Sequence, residues 1–310
     1  MFSPKKRKKI ATHNGSFHAD DIFACATLLL WLDIHNEEGE IIRTRDEKII
    51  AECDYVIDVG GVYNHDDKHY DHHQTDGARY HTQSKILYAS FGLVWEHYGL
   101  LLCEGDERVW RDIERRLVMS VDAPDNGITL YEVNDNGIVP YTIGDALSSF
   151  LPTPSEDDNR DVTFLSLVDF AKSLIQRTIK RTIEKYKGID DVISVYNNLD
   201  NKEIVIVQNP YSRTDMQEIL STDEAELPDT FYIIFPNGAD AEWRILGLRV
   251  RHKGFTLRKA LPLEWRGLVG QELQKVTGVS TAQFCHRTGF MCIASSREGA
   301  ISLAQQAIDN

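Results

Sequence analysis

The sequence lacks a long apolar run and any segment typical of secretion. Its most apolar stretch, Ile22 to Ile34, is shorter than the roughly 20 residues that a membrane span needs, and Asp33 interrupts it. The basic residues near the N-terminus are followed by no apolar segment of the signal-peptide kind. We therefore expect no transmembrane segment and an intracellular, cytoplasmic protein.

Cysteine pairs and an excess of positive charge are also absent. The five cysteines are odd in number and form no Cys-x-x-Cys pair, which indicates a reducing compartment. A net charge of −14 excludes a protein that coats nucleic acid with its whole surface. Between Arg244 and Arg297, however, the segment contains ten Lys or Arg and only two Glu. An anionic substrate could therefore bind in the C-terminal part.

The run from Pro4 to Lys9 has the composition of a nuclear localisation signal. It also suits a basic arm that holds nucleic acid, or a solvated start of the first strand, which we favour. A nuclear location stays open if the chain is eukaryotic.

Strands and helices alternate in the first half of the chain, which predicts an α/β fold with a parallel sheet. The predicted strands are Lys8 to Thr12, Glu40 to Arg45 and Tyr55 to Val59, and the helices are Ala19 to Asn36, Glu47 to Glu52, Ser84 to Tyr98 and Asp106 to Val121. We expect Pro124, Asn126 and Gly127 to end the last of these helices.

A long amphipathic helix from about Val162 to Tyr186 follows, and Gly188 should stop it. Strand-like runs such as Ile204 to Val207 and two later helices predict a second, smaller α/β domain. The expected domains are residues 1–188, which would carry the catalytic site, and 189–310, which would bind substrate. The long helix would join them, with a cleft between them for the ligand.

Imidazoles and carboxylates follow the predicted strands, where a parallel sheet would gather them at one edge. The clusters are His13, His18 and Asp20; Asp58 before Gly60 and Gly61; Asp71, His72 and His73; and Asp122 with Asp125 behind it. Ordinary explanations exist for several members: Asp20 or Asp21 could cap a helix, Asp58 could form a turn, and Asp122 could be a helix cap or a surface acid. His65, His69 and His81 could be solvated or could support the ligands.

Two-metal hydrolysis needs such a donor set, because two ions can activate a shared water and neutralise the charge that develops on a phosphate. No protein nucleophile is then required. A mixture of imidazole and carboxylate without thiolate favours two Mn²⁺ ions, with Mg²⁺ as the alternative.

The ordered motifs resemble the melanocyte proliferating gene (Myg) family of RNA exonucleases, also called metal-dependent protein hydrolases, within the DHH-type phosphoesterases. The resemblance covers nearly the whole chain, through the segments Thr12 to Asp20, Ile42 to Asp46, Asp58 to Gly61, Tyr70 to Gln74, Val121 to Ile128, Glu264 to Leu268, Val276 to Val279 and Phe284 to Phe290. It implies a DHH phosphoesterase domain followed by a smaller α/β domain.

The resemblance also implies roles for individual residues. His13 would bind the first metal, Asp58 would bridge both, and His72 and Asp122 would bind the second. Phe17 stands where the wider DHH pattern has an Asp, and a shift of one residue assigns His18 and Asp20 to the metals instead. Asp71 would support the histidines as part of the catalytic set, and His73 would face the substrate phosphate.

In the second domain, the resemblance implies a phosphate clamp at His286, Arg287 and Gly289. Independently of the resemblance, the planar guanidinium of Arg266 suits a further phosphate contact. Ordinary explanations are a buried histidine in a turn and packing of Arg266 on Trp265. A Gly-Gly pair that the family would have after Phe290 is replaced by Met291, Cys292 and Ile293.

The resemblance thus implies a manganese-dependent 3′-5′ exonuclease on single-stranded RNA, with DNA as a further substrate. One alternative is a phosphoesterase on small phosphate esters or very short oligonucleotides. Another is a metal-binding and nucleic-acid-binding protein without catalysis. No membrane partner is expected, and a homodimer stays open.

Overall fold

A computed structural model describes residues 7–74, 79–81, 84–133, 135–238, 242–250 and 254–310. The chain divides into two compact units, Met1–Ile183 and Glu184–Asn310, and each contains a five-stranded sheet. The α/β class predicted from the sequence is therefore confirmed. Part of the basic run, Pro4 to Lys6, lies outside the described residues.

The first sheet has a parallel core. Its strands, in spatial order, are β2 (Gly39–Arg43), β1 (Lys8–Thr12), β3 (Tyr55–Ile57), β5 (His69–Tyr70) and β4 (Tyr63–Asn64). The first four run parallel, and β4 pairs antiparallel with β5. The C-terminal ends of β1, β3 and β5 therefore lie along one edge, where α/β sheets bind their ligands.

Helices bury the apolar residues of this sheet. On one face, α2 (Glu47–Ile50) contributes Ile50 to a cluster with Ala11, Val56 and Val59. The helices α1 (Ala19–Ile34) and α3 (Ser90–Leu102) pack against each other, with the rings of Phe23 and Phe91 5.2 Å apart. This packing fixes where both helices begin, and both begin beside the edge described above.

A long helical stretch follows α3 and contains an irregular turn. It consists of α4 (Glu107–Ile113), a π-helical turn (Glu114–Val118) and α5 (Met119–Asp125), and a short helix α6 (Ile143–Ser148) comes later. The helix ends where Asn126 and Gly127 were predicted to end it, because Asn126 is its C-cap residue and Gly127 has a φ of +73°, but it continues through Pro124 to Asp125. Pro124 lies in the last turn, where its missing N–H removes a single backbone hydrogen bond.

The predicted long helix is longer than expected. It forms α7 (Arg160–Asn197) and continues through Gly188, so the prediction that this glycine stops the helix is wrong. A side chain at residue 188 would collide with Ile219 and lie 3.1 Å from the ring of Tyr211. Gly188 therefore permits close packing rather than ending the helix. No helix in the described part of the chain is long and apolar enough to cross a membrane.

The second unit is a mixed sheet with helices. Its strands, in spatial order, are β6 (Ile204–Ile206), β7 (Tyr232–Pro236), β8 (Trp243–Gly247), β10 (Met291–Ala294) and β9 (Ala282–Cys285). The pair β6 and β7 is parallel and the other pairs are antiparallel. The helices are α8 (Arg213–Leu220), α9 (Gln271–Thr277) and α10 (Arg297–Asp309), and one core contains Ile245, Trp265, Leu273 and Leu303.

Candidate metal centre

Three parallel strands bring the predicted ligands to one edge of the first sheet. His13 directly follows β1, Asp58 follows β3, and Asp71, His72 and His73 follow β5. His13, Asp58, Asp71 and His72 are buried, whereas the side chain of His73 is 62% exposed. The sheet therefore gathers donors that lie far apart in the sequence.

The start of α1 contributes further donors. Asp20 and Asp21 lie in its first turn and are completely buried. The N-cap residue is His18 rather than either aspartate, but Asp21 takes part in capping, because its Oδ1 accepts the backbone N–H of His18 at 3.1 Å. The other oxygen of Asp21 lies 2.9 Å from His13 Nε2, so Asp21 braces the loop between the two histidines.

Among the described residues, three groups of side chains could each hold a metal ion, with ligand atoms within 4.8 Å of one another: His13, His18 and Asp58; Asp58, His72 and His73; and His18, Asp20 and Asp125. Asp58 belongs to two groups, as a bridging carboxylate would. Its Oδ2 lies 3.3 Å from His13 Nε2, and its Oδ1 lies 3.4 Å from His72 Nε2. Ligands about 2.1 Å from one ion lie roughly 3.0 to 3.4 Å apart, so this spacing suits co-ligands.

Asp20 provides a direct test of whether a cation fits. Its side chain is fully buried, yet neither carboxylate oxygen receives a hydrogen bond from the described residues. A buried carboxylate without a donor is strongly unfavourable unless a cation compensates it. The residues present therefore fit a divalent ion at this point.

The electrostatics of the carboxylates point the same way. Burial, followed by the negative charges of Asp58 and Asp125, raises the pKa of Asp20 well above its ordinary value. Burial also opposes ionisation of Asp58, but the imidazoles of His13 and His72 hold the pKa of Asp58 well below its usual range. Asp58 is thus ionised, while Asp20 needs a positive charge beside it to ionise.

The two buried histidines respond to the same carboxylates. Burial alone would lower the pKa of His13, but Asp21 and Asp58 raise it to about 10. The pKa of His72 is raised to about 10 by Asp125 and Asp58, again against the effect of burial. Metal binding requires neutral imidazole, so an ion at these residues must displace their protons.

Asp71 forms a pair with His73, which itself belongs to one of the ligand groups. Asp71 Oδ1 accepts the backbone N–H of His73 at 3.0 Å and lies 2.8 Å from His73 Nδ1, while its Oδ2 accepts the N–H of Gly61. These contacts orient the exposed imidazole through its Nδ1 edge. The Nε2 edge is the one left to meet another molecule.

Asp122 and Asp125 occupy different environments, although only three residues separate them. Asp125 Oδ2 lies 3.0 Å from His72 Nε2, and Asp125 belongs to one of the ligand groups. Asp122 belongs to none of the three; its oxygens face His81 Nε2 at 2.8 Å and accept the N–H groups of Ala89 and Gly92. The sequence-based assignment favoured Asp122, whereas the geometry favours Asp125 as the ligand.

His65, His69 and His81 also belong to none of the three ligand groups found among the described residues. His65 stacks on His97 with ring centroids 3.6 Å apart, and its Nδ1 lies 2.8 Å from the hydroxyl of Tyr70. His81 is buried between Asp122 and Glu114, with Nδ1 3.0 Å from the Glu114 carboxylate. His81 therefore supports Asp122.

Comparison with known proteins identifies the family. The profile MYG1_exonuc, described as an uncharacterised protein family (UPF0160), matches residues 9–308. The chain belongs to the MYG1 exonuclease family. This confirms the Myg resemblance drawn from the motifs.

Individual MYG1 relatives agree over most of their length. The "MYG1 protein C27H6.8" of Caenorhabditis elegans is 29% identical over 97% of this chain and 95% of its own. The "MYG1 exonuclease" of Rattus norvegicus is 30% identical over 97% of this chain and 84% of its own. A structure of exonuclease RecJ bound to manganese aligns with 99% of this chain and 91% of its own, at 9% identity and a TM-score of 0.28.

In the second unit, the residues that the Myg resemblance implied for phosphate lie around one turn between β9 and β10. His286 Nδ1 lies 2.9 Å from the Thr288 hydroxyl, and the N–H of Gly289 donates to the His286 carbonyl. A side chain at position 289, where φ is +69°, would lie 2.6 Å from Arg266 Nε. The glycine therefore lets the turn approach the guanidinium.

Other features of this segment bear on whether it binds phosphate or makes only structural contacts. Arg266 Nε donates to the Leu261 carbonyl at 2.9 Å, and Arg287 is exposed. Met291, Cys292 and Ile293 belong to β10, which pairs on both sides with β8 and β9. The backbone that replaces the family's Gly-Gly pair is thus part of the sheet.

Sequence reasoning gave no role to Arg43, although it lies within a matching segment. Its guanidinium donates to the carbonyl of Gly15 at 2.8 Å and to Asp161 at 2.6 Å, and it lies 4.6 Å from the ring centroid of Phe164. Arg43 therefore ties the loop between His13 and His18 to the start of α7. A basic residue between the uncharged Ile42 and Thr44 at the end of a strand was the signal available.

Proposed function

We propose that this protein is a metal-dependent phosphodiesterase that acts as a 3′-5′ exonuclease on single-stranded RNA, with single-stranded DNA as a second substrate. The observation that carries the proposal is the ligand geometry around Asp58, with Asp20 buried and without a hydrogen-bond donor among the described residues. The names of two MYG1 relatives, from Rattus norvegicus and Mus musculus, which are called exonucleases, support the class of reaction. Polarity and the preference for RNA rest on the family resemblance.

We assign the first ion to His13, His18 and Asp58, and the second to Asp20, Asp58, His72 and Asp125. Mixed imidazole and carboxylate ligands suit Mn²⁺ better than Mg²⁺, which prefers oxygen. When bound, the two ions would lower the pKa of a water molecule and neutralise charge on the phosphate. Asp58 holds one oxygen toward each histidine, as a shared ligand requires.

His73 would contact the phosphate that is cleaved. Asp71 occupies its Nδ1 edge, so the imidazole is oriented before substrate arrives and loses little freedom on binding. In the second unit, Arg266, His286, Arg287 and Gly289 would bind phosphate groups of the nucleic acid. Their place in a region rich in Lys and Arg supports this assignment.

The test is digestion of RNA labelled separately at each end, with Mn²⁺ present, beside single-stranded DNA and a dinucleotide. A 3′-5′ exonuclease releases a 3′ label at once as a mononucleotide and shortens 5′-labelled RNA into a ladder. Asp58→Asn should reduce the rate at least about a thousandfold, because both ions lose a charged ligand. Asp66→Asn, an exposed aspartate in the loop after β4, is the matched control and should leave the rate unchanged.

Each contrary result has a distinct meaning. Full activity of Asp58→Asn would refute the site assignment. Hydrolysis of the dinucleotide without degradation of long RNA would favour a phosphoesterase on small substrates. Binding of RNA without turnover by the native protein would favour the non-catalytic alternative.

A further inference from the structure

The bridging carboxylate depends on support from outside the ligand set. Asp58 is buried and its backbone φ is +54°, a conformation rare for residues other than glycine. It belongs to two ligand groups, so a rotation of its side chain would displace a ligand atom from both at once. Partners that hold a ligand carboxylate commonly change metal affinity about 10–100-fold when removed.

Ser90 is the residue placed to provide this support. Its hydroxyl donates to Asp58 Oδ1 at 3.0 Å, and its side chain is completely buried. The histidines lie farther from the Asp58 oxygens, at 3.3 to 3.5 Å, so Ser90 makes the closest polar contact to this carboxylate among the described residues. Its neutral hydroxyl differs in kind from the imidazoles and carboxylates that form the three ligand groups.

The position of Ser90 is fixed by the way α3 begins. Its N-cap residue is Ala89, which has no side chain able to accept a hydrogen bond. Asp122 takes that role from another helix, because it accepts the N–H groups of Ala89 and Gly92. A side chain at Gly92 would collide with Asp122 Oδ2, so glycine is required for this close approach. Asp122 therefore anchors the first turn of α3 at Ala89, before Ser90, and at Gly92, after it.

We propose that Ser90 is a positioning residue that holds the Asp58 carboxylate in the orientation needed to bridge two metal ions. The inference rests on the proposed function, because it assigns the bridging role to Asp58. It adds that Ser90 acts through Asp58 without contacting metal or substrate. It also adds that Asp122, by capping α3, fixes the position of Ser90 beside the metal centre.

The experiment measures Mn²⁺ affinity by calorimetry, RNA hydrolysis as separate kcat and KM, and thermal unfolding without metal. Ser90→Ala should weaken Mn²⁺ binding about 10–100-fold, and at subsaturating Mn²⁺ it should lower kcat with little change in KM for RNA. Thr27→Val is the matched control, because it removes another fully buried hydroxyl, one that donates to the Phe23 carbonyl within α1. It should lower stability without changing Mn²⁺ affinity.

Ser90→Thr separates the hydroxyl from packing. It keeps the donor but adds a methyl group in a buried place, so it should bind Mn²⁺ more tightly than Ser90→Ala even if it unfolds at a lower temperature. Equal Mn²⁺ affinity of Ser90→Ala and Thr27→Val, in a background where the native protein binds Mn²⁺ and degrades RNA, would overturn the role of Ser90 alone. If the native protein neither binds Mn²⁺ nor degrades RNA, the proposed function falls together with this inference.

Discussion

The pair Asp122 and Asp125 offers a test in which two similar substitutions should affect different properties, fold stability in one case and metal affinity in the other. Replacing either residue by asparagine preserves shape and removes one charge. Asp122 faces three donors, from His81, Ala89 and Gly92, inside the fold. Asp125 is part of a ligand group and has a side chain that is 16% exposed.

For Asp122→Asn, the amide must point its NH₂ group at one of those donors. One buried hydrogen bond is lost and its donor is left unsatisfied, which costs about 1–3 kcal/mol. The buried imidazole of His81 also loses an ionised partner, and breaking such a pair costs about 3–5 kcal/mol at full strength. Because Glu114 remains beside His81, we expect a total destabilisation of about 3 kcal/mol.

For Asp125→Asn, the metal-free protein loses the contact with His72 but is relieved of a negative charge near Asp20. Because Asp58 still contacts His72, we expect its unfolding free energy to fall by about 1–2 kcal/mol, less than for Asp122→Asn. Its affinity for Mn²⁺ should fall at least about tenfold, because a charged ligand is lost.

Urea unfolding without metal and Mn²⁺ titration by calorimetry measure the two effects separately. The ligand would be Asp122 if Asp122→Asn weakened Mn²⁺ binding and left stability unchanged, while Asp125→Asn left Mn²⁺ binding unchanged. The resemblance would then have identified it correctly and our geometric argument would be refuted.

Two further predictions concern pH and packing. Because the pKa values of His13 and His72 are raised to about 10 from 6.5, their contribution to metal-free stability is full below pH 6.5 and is lost as pH rises through 10. Mn²⁺ binding at pH 7 should therefore release protons, and the affinity should increase as pH rises. Calorimetry in buffers of different ionisation enthalpy measures the protons released. An affinity that does not change with pH would contradict this prediction. Gly188→Ala should lower stability by about 1–2 kcal/mol through collision with Ile219, despite the better helix propensity of alanine. Gly144→Ala in α6, where the nearest atom lies 3.6 Å away, should be neutral or stabilising in the same urea experiment.

Much of the metal centre could be predicted because its residues follow strands. His13 and Asp58 each come directly after a short apolar run, His72 lies one residue beyond β5, and parallel pairing brings such positions together. The choice between Asp122 and Asp125 could not be made in this way. They lie beyond a π-helical turn, which inserts a residue and rotates the rest of the helix by roughly a quarter turn. The turn displaces both carboxylates alike, so which of them faces the ligand groups depends on how α5 packs, and the sequence does not show that packing.

Other features depend on contacts between distant segments. Ser90 could not be predicted as a partner of Asp58, because a serine at the start of a helix usually serves its own backbone. Gly188 was misinterpreted because the Ile219 side chain that explains it belongs to α8. Local signals can show that a glycine is unusual, but they do not show which neighbour requires it.

The left-handed backbone at Asp58 lowers the stability of the fold at a residue that is kept for metal binding. Such a conformation costs a residue with a side chain on the order of 1 kcal/mol relative to glycine. A sequence selected only for stability of the metal-free fold would favour glycine at this turn, as it has at the neighbouring positions 60 and 61, where φ is also positive. Retaining aspartate there makes the metal-free protein less stable than the fold allows, and bound metal would recover that stability. Chelation should accordingly shorten the lifetime of the protein as well as stop its chemistry.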